Sequence, residues 1–266
     1  MLLDLLYVEH LLGRMKDEPT YKEIKPIKKL EHLVHSFWMH RNLSNEPEQL
    51  TIVPDSYFKI VFVVQDSRVV KYFMTGLWIR ENNFITPPNA TNYGCRLKIL
   101  APEFLIRQEV ASILQDIKQL DLSYLNLKYF DLSSFEKIVD QWQIELLKIK
   151  SSRDIASNKL RLSQLLDTTK GDITAKQVSE QILWTNRQIN RYMNKYLGVS
   201  LKRYLNIQKV YQSYIQIREG RFFPEKNYFD QAHFVREVKR HTGETPTKLH
   251  ESQNDRFIQL KNIQQK

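Results

Sequence analysis

The sequence predicts an α+β chain, with a small antiparallel β barrel or roll and packed helices over residues 1–150. An all-α domain follows over residues 151–266, with two helix-turn-helix units joined by a long helix. Three observations carry this division. Up to Pro102, short aromatic and β-branched runs are separated by turn residues, whereas beyond it apolar residues recur at helical spacing. Of the 40 Lys+Arg and 30 Asp+Glu, 19 of each lie in residues 1–150, so the 21 basic and 11 acidic side chains left in 151–266 hold the whole formal net charge of +10. Capping boxes and stop glycines then recur through the second region. At 266 residues the chain has room for two cores.

Taken in order, residues 1–30 read as a lead-in or as edge elements, with four lysines around Pro19 and Pro26. Strand character begins with Leu33–Met39 and Gln49–Pro54. It is strongest in Tyr57–Val64, and the turn residues Gln65-Asp66-Ser67-Arg68 fold that strand back onto Val69–Thr75 as a hairpin. Short strands are expected at Gly76–Ile79, Asn83–Thr86 and Tyr93–Leu100. Beyond Pro102, the spacing of Phe104, Leu105, Val110, Ile113, Leu114 and Ile117 predicts a helix packed on the sheet. After a connector from Leu120 to Leu132, Ser133-Ser134-Phe135-Glu136 reads as a capping box. It opens a helix with Phe135, Ile138, Val139, Trp142 and Leu146 on one face. Polarity rises over Lys148–Arg153, the expected domain boundary.

In the second region, Ile155, Leu162, Leu165 and Leu166 make a lead helix that ends at Lys170-Gly171-Asp172. Thr174 with Gln177 caps a helix over Ala175–Ile182, and Thr185 with Gln188 caps another that stops at Gly198. Two short capped helices in tandem describe a helix-turn-helix, whose second helix presents polar side chains. A long helix runs from Ser200 to about Gly220. The last signals are Asp230 as an N-cap, Gly243 as a stop and Thr245-Pro246 as the start of a further helix.

Composition narrows the function. With 42% hydrophobic residues and a mean hydropathy of -0.48, the chain is expected to be soluble, and no apolar run approaches the ~18 residues of a membrane span. The Met1–Leu6 run has no basic start and an early Asp4, against a secretory signal. A lone Cys95 excludes an internal disulfide and fits a cytoplasmic location. There is no Gly-rich phosphate loop, no His-Glu-x-x-His and no nucleophile in a recognisable setting, so neither an enzyme nor a cofactor is expected. His32, His35 and His40 match no metal-ligand spacing. The charge asymmetry is the footprint of a polyanion-binding region beside a neutral one.

The stretch Asp230-Gln231-Ala232-His233-Phe234-Val235-Arg236-Glu237-Val238-Lys239-Arg240-His241-Thr242-Gly243-Glu244-Thr245-Pro246 resembles the closing signature of AraC/XylS-type transcription regulators. Thr185-x-x-x-Ile189-x-Arg191-x-Met193-x-x-x-x-Gly198 matches the family's first unit, and the likeness covers Ile155 to His250. It implies a sequence-specific regulator that places two recognition helices in successive major-groove segments of double-stranded DNA. Arg187, Asn190 and Arg191 would face base edges, with Asn186 and Gln188 nearer the phosphates. In the second unit Gln231, Ala232, Val235 and Arg236 correspond to reading positions, His233 and Lys239 to backbone contacts, and Arg240 adds to the cationic surface.

The departures are Phe222-Phe223-Pro224 and Asn227 where the family has a second positioning helix and its closing glycine, a short Ala232 at a reading position, Ser179 for Ala, and Leu183 for Gly. The N-terminal domain is similar to the sensor or dimerisation half of such regulators through Val53–Phe62. Its aromatics Trp38, Tyr57, Phe58, Tyr72, Phe73 and Trp78 either line an effector pocket or fill a core. A small-molecule effector, a homodimer and contact with RNA polymerase all stay open. So do two rivals, a non-sequence-specific architectural DNA-binding protein and an alkyl-transfer DNA-repair regulator, the latter needing a reactive cysteine.

Overall fold

The computed structural model describes residues 20–224, 228 and 230–251, and is α+β, with an antiparallel N-terminal part and a helical C-terminal part. Six strands form one sheet in the order β1-β2-β7-β4-β5-β8: β1 Tyr21–Ile24, β2 Val34–Arg41, β4 Phe58–Gln65, β5 Arg68–Thr75, β7 Thr91–Leu97 and β8 Ile117–Gln119. A second sheet pairs β3 Glu48–Ile52 with β6 Asn82–Thr86. Residues 21–24 are the expected edge element, paired among the described residues with β2 alone. The β4–β5 hairpin closes on Asp66 and Ser67, both left-handed at φ 50° and 58°, the backbone a two-residue turn between right-twisted strands requires.

Strand periodicity of two sorts the side chains to the two faces of the large sheet. Phe37, Met39, Phe58, Ile60, Phe62, Tyr72 and Met74 enter the main core, while Trp38, Val61 and Phe73 pack on the other face with Leu50 and Phe84 of the small sheet. Helix α2, Phe135–Ile149, covers the main-core face. Its fully buried Trp142 stacks on Phe37 at 5.6 Å and meets Phe62 edge-on at 5.2 Å. Its cap is Ser134, which accepts from Lys137 N, one residue later than the sequence suggested; Lys137 therefore stands where a capping box needs Glu or Gln.

Two expected elements do not form. Gly76–Ile79 is not a strand, because its backbone is bonded to a turn: Gly76 N donates to Asp116 O, Gln115 N donates to Leu77 O, and Gln115 Oε1 accepts from Ile79 N and Arg80 N. A Cβ on Gly76 would run into the Ile113 carbonyl, so this close approach depends on glycine. Of the helix expected from Phe104 to Ile117 only two short turns form, α1 Ala101–Phe104 and a 3-10 turn over Ala111–Ile113. Leu105 N and Ile106 N both donate to Ala101 O, Arg107 turns left-handed at φ 52°, and Val110 N donates to Tyr196 O in the C-terminal part. The apolar side chains are satisfied by tertiary contact instead, and Ile117 joins β8 opposite Thr75.

The C-terminal part comprises α3 Ser157–Thr169, α4 Ala175–Ile182, α5 Asn186–Leu197, α6 Leu201–Arg218, α7 Gln231–Thr242 and α8 Pro246–Glu251. The main core continues across the link after Ile149 through Leu162, Leu166, Val178, Ile189 and Met193. A separate cluster joins Val210, Tyr214 and Ile217 of α6 to Phe234, Val238, Leu249 and Val53 of the N-terminal part. Lys98–Asp167 and Lys159–Glu103, both at 2.7 Å, bridge the two parts. No helix among the described residues is long and apolar enough to cross a membrane.

Candidate nucleic-acid interface

The first unit is assembled from local bonds that its sequence spells out. Thr174 and Gln177 form a reciprocal capping box at α4, and Thr185 and Gln188 form another at α5. Between them Leu183 is left-handed at φ 57°, and Ser179 Oγ donates to Trp184 O at 2.5 Å, which closes the turn. Ile189, Tyr192, Met193 and Leu197 of α5 are buried. Helical geometry then turns Asn186, Arg187, Gln188, Arg191, Asn194 and Lys195 to solvent, and all six are exposed. Asn194 and Lys195 escaped the sequence reading, although their three- and four-residue spacing from Arg191 was visible there.

Two candidate residues also hold the unit together. Gln188 Oε1 accepts from the backbone N and hydroxyl of Thr185, leaving its amide nitrogen to face outward. Asn190 is half-buried: its Oδ1 accepts from Leu201 N at 2.9 Å and its Nδ2 donates to Asn186 O, which ties α5 to the start of α6.

The second unit is built differently. Asp230 Oδ1 accepts from His233 N at 2.6 Å, and α7 ends at Gly243, φ 75°. Gln231, Ala232, Arg236, Lys239 and Arg240 are exposed, while His233 and Val235 are half-buried. Arg240 is held at 2.6 Å by Glu237, itself buried beside His241. Burial lowers the His241 pKa to about 4, with Arg240 and Arg203 acting in the same direction against Glu237. Arg221–Pro224 and Tyr228 are not helical, and Asn227 lies outside the described residues. With Pro224 unable to donate a backbone bond, no helix precedes α7 in this stretch among the described residues. Between the units α6 spans 18 residues, about 27 Å.

The N-terminal part holds a cavity of about 150 Å3 between its two sheets, beside an ionic cluster. Of the six aromatics singled out in the sequence, Trp38, Phe73 and Trp78 line it; Phe58 and Tyr72 lie in the main core, and Tyr57 stacks on His35 at 4.3 Å. Lys59 and Arg96 also line the cavity. Lys59 is bonded to Asp55 at 2.8 Å and Arg96 to Glu23 at 2.7 Å. Burial lowers the Lys59 pKa against the pull of Asp55. Burial would raise the Glu23 carboxyl, but Arg96 and the Tyr21 hydroxyl hold it at about 2. The indole N–H groups of Trp38 and Trp78 are buried without a hydrogen-bond acceptor, and Nε of Arg96 is ion-paired with Asp55 at 3.6 Å. Cys95 is fully buried in β7, and burial pushes its thiol pKa up, away from the reactive thiolate.

No protein-family model matches the chain, and no curated protein matches it. Among solved structures it is similar to ToxT from Vibrio cholerae. An apo point variant of ToxT superposes with a TM-score of 0.42 at 10% identity, covering 81% of this chain and 97% of that one. The wild-type protein with an unsaturated fatty acid bound gives 0.41 at 10%, covering 80% and 94%.

Proposed function

We propose that this chain is a sequence-specific DNA-binding transcription regulator of the AraC/XylS type, with residues from 151 onward as the DNA-binding module. The observation that carries this reading is the exposed face of α5, where Arg187, Arg191, Asn194 and Lys195 are exposed on a helix fixed at its N-terminus by a capping box. A helix of this kind fits the major groove, where Arg pairs with guanine in a bidentate manner and Asn with adenine. The +10 net charge, all of it from residue 151 onward, supplies the phosphate attraction. The second unit adds Arg236 and Lys239, chiefly as phosphate contacts, since Ala232 cannot hydrogen-bond a base.

The N-terminal part acts as the sensor. Its cavity, lined by the rings of Trp38, Phe73 and Trp78 beside the Lys59 and Arg96 side chains, supports a small effector.

The test is selection of duplexes from random DNA by the whole chain. An enriched motif is expected, with Arg191→Ala relaxing preference at one position, worth about 1–3 kcal/mol. Lys239→Ala should weaken all duplexes evenly with a shallower salt slope. An architectural protein would enrich no motif.

A further inference from the structure

Beside the exposed face of α5 lies an open groove of about 580 Å3 whose other wall is formed by Lys159 of α3 and by Trp184 in the α4–α5 turn. Its floor is aromatic: Tyr192 sits 6.0 Å from Trp184 and 4.9 Å from Tyr196. Its rim on the α5 side carries Arg191 and Lys195, one helical turn apart and both exposed. Lys159 is already committed, with its Nζ at 2.7 Å from both carboxylate oxygens of Glu103. Lys195 has a looser partner, Glu109, at 3.8 Å, and both side chains are about half exposed.

We propose that this groove is the seat of one sugar-phosphate strand of bound duplex DNA, with a phosphate on Lys195 and deoxyribose faces against Trp184 and Tyr196, while Arg191 on the shared edge reaches the bases. The inference rests on the DNA-binding reading and extends it to Lys195, Trp184 and Tyr196, which read no base. A helix with its side chains is about 10–12 Å across and the major groove about 12 Å wide, so the two backbones run along the helix flanks. The groove is such a flank, because Gln188 and Arg191 line it and also belong to the exposed face. The partner's chemistry follows from charge and shape together: two cations at a rim suit a polyanion, and flat rings below suit sugars. Glu109 of the N-terminal part stands where a phosphate would, so the strand must displace a carboxylate from Lys195 when it enters.

The experiment is fluorescence anisotropy with the full chain, on its selected duplex and on a random-sequence duplex, across a sodium chloride series. Lys195→Gln should weaken both duplexes by the same factor, about three- to tenfold, and lower the salt slope by about 1. Glu109→Gln should tighten both. Trp184 is the one tryptophan of four that is not buried among the described residues, so DNA should quench tryptophan emission in the wild type and much less in Trp184→Phe. If Lys195→Gln and Glu109→Gln bind like the wild type while Arg191→Ala still relaxes base preference, the regulator stands and the groove is overturned. If Arg191→Ala is also without effect, the DNA-binding reading fails and the groove with it.

Discussion

The two recognition-helix candidates, α5 and α7, have nearly the same length and the same kind of cap, yet they differ in what holds them and in what they leave free. Helix α5 follows a complete partner helix, has a turn closed by Ser179, and is tied to α6 through Asn190. Its cations are exposed, and its weakest tie is Lys195 to Glu109. Helix α7 has no helix among the described residues just before it, commits Arg240 to a buried Glu237, and packs through Phe234 and Val238 into a small cluster that includes Val53 of the N-terminal part. The first unit is therefore rigidly held, and the second depends for its stability on few side chains.

That contrast is most exposed at Phe234. This side chain is fully buried in the smaller cluster, so Phe234→Ala should cost about 3–5 kcal/mol locally. Hydrogen exchange should show protection lost across α7 and α8 and retained in α4 and α5, whose core is the main one. Equal loss in both units would mean that they fold as one cooperative body and that the contrast is false.

Acid should separate them next. Residues 151–220 contain no histidine, whereas α7 buries His241 as the neutral imidazole. An unfolded histidine takes up its proton near 6.5, and the folded one only near 4, so between these values the unfolded state binds more protons. Stability that is full above about 6.5 is then lost as pH falls toward 4, by up to about 3 kcal/mol. The sheet region buries a second such base, His35, held down to about 3 by burial and nearby cations, so the readout must be residue-resolved. The protection factors of α7 amides, taken against the unprotected exchange rate at each pH, should fall between pH 7 and 4 well before those of α5, and His241→Gln should flatten the dependence. Parallel loss in both helices would contradict this.

How much of this was legible in the sequence follows from the range of the forces involved. Signals that act within four residues placed elements well: Thr174 with Gln177, Thr185 with Gln188, Asp230, Gly198, and the Asp66-Ser67 turn. The reading failed where a distant partner decides. Leu105 to Ile117 has helical spacing, but Val110 bonds to Tyr196, and Gly76–Ile79 has strand composition, but its bonds go to Gln115 and Asp116. The candidate interface divides in the same way. The exposure of Arg187 and Arg191 follows from the Ile189–Met193 stripe, and Asn194 with Lys195 could have been read from it too. The inward role of Asn190, the engagement of Arg240 by a buried Glu237, and the Glu109 carboxylate beside Lys195 are tertiary facts with no local signature.

The smallest expected effects come from the turns that close the two units, and they should have opposite signs. In the first unit Leu183 holds φ 57° with its side chain 80% exposed, so it carries backbone strain and buries little. Leu183→Gly relieves that strain while loosening the unfolded chain, leaving a net gain of about 0.5–1 kcal/mol. In the second unit Gly243 holds φ 75° against the Glu81 carboxylate, so Gly243→Ala adds both strain and a contact to be displaced, at a cost of about 1 kcal/mol. Thermal unfolding should move by about 2–4 °C per kcal/mol, upward for the first variant and downward for the second. A downward shift for Leu183→Gly would mean that the freedom gained by the unfolded chain exceeds the strain relieved, and that the left-handed leucine costs the first unit little.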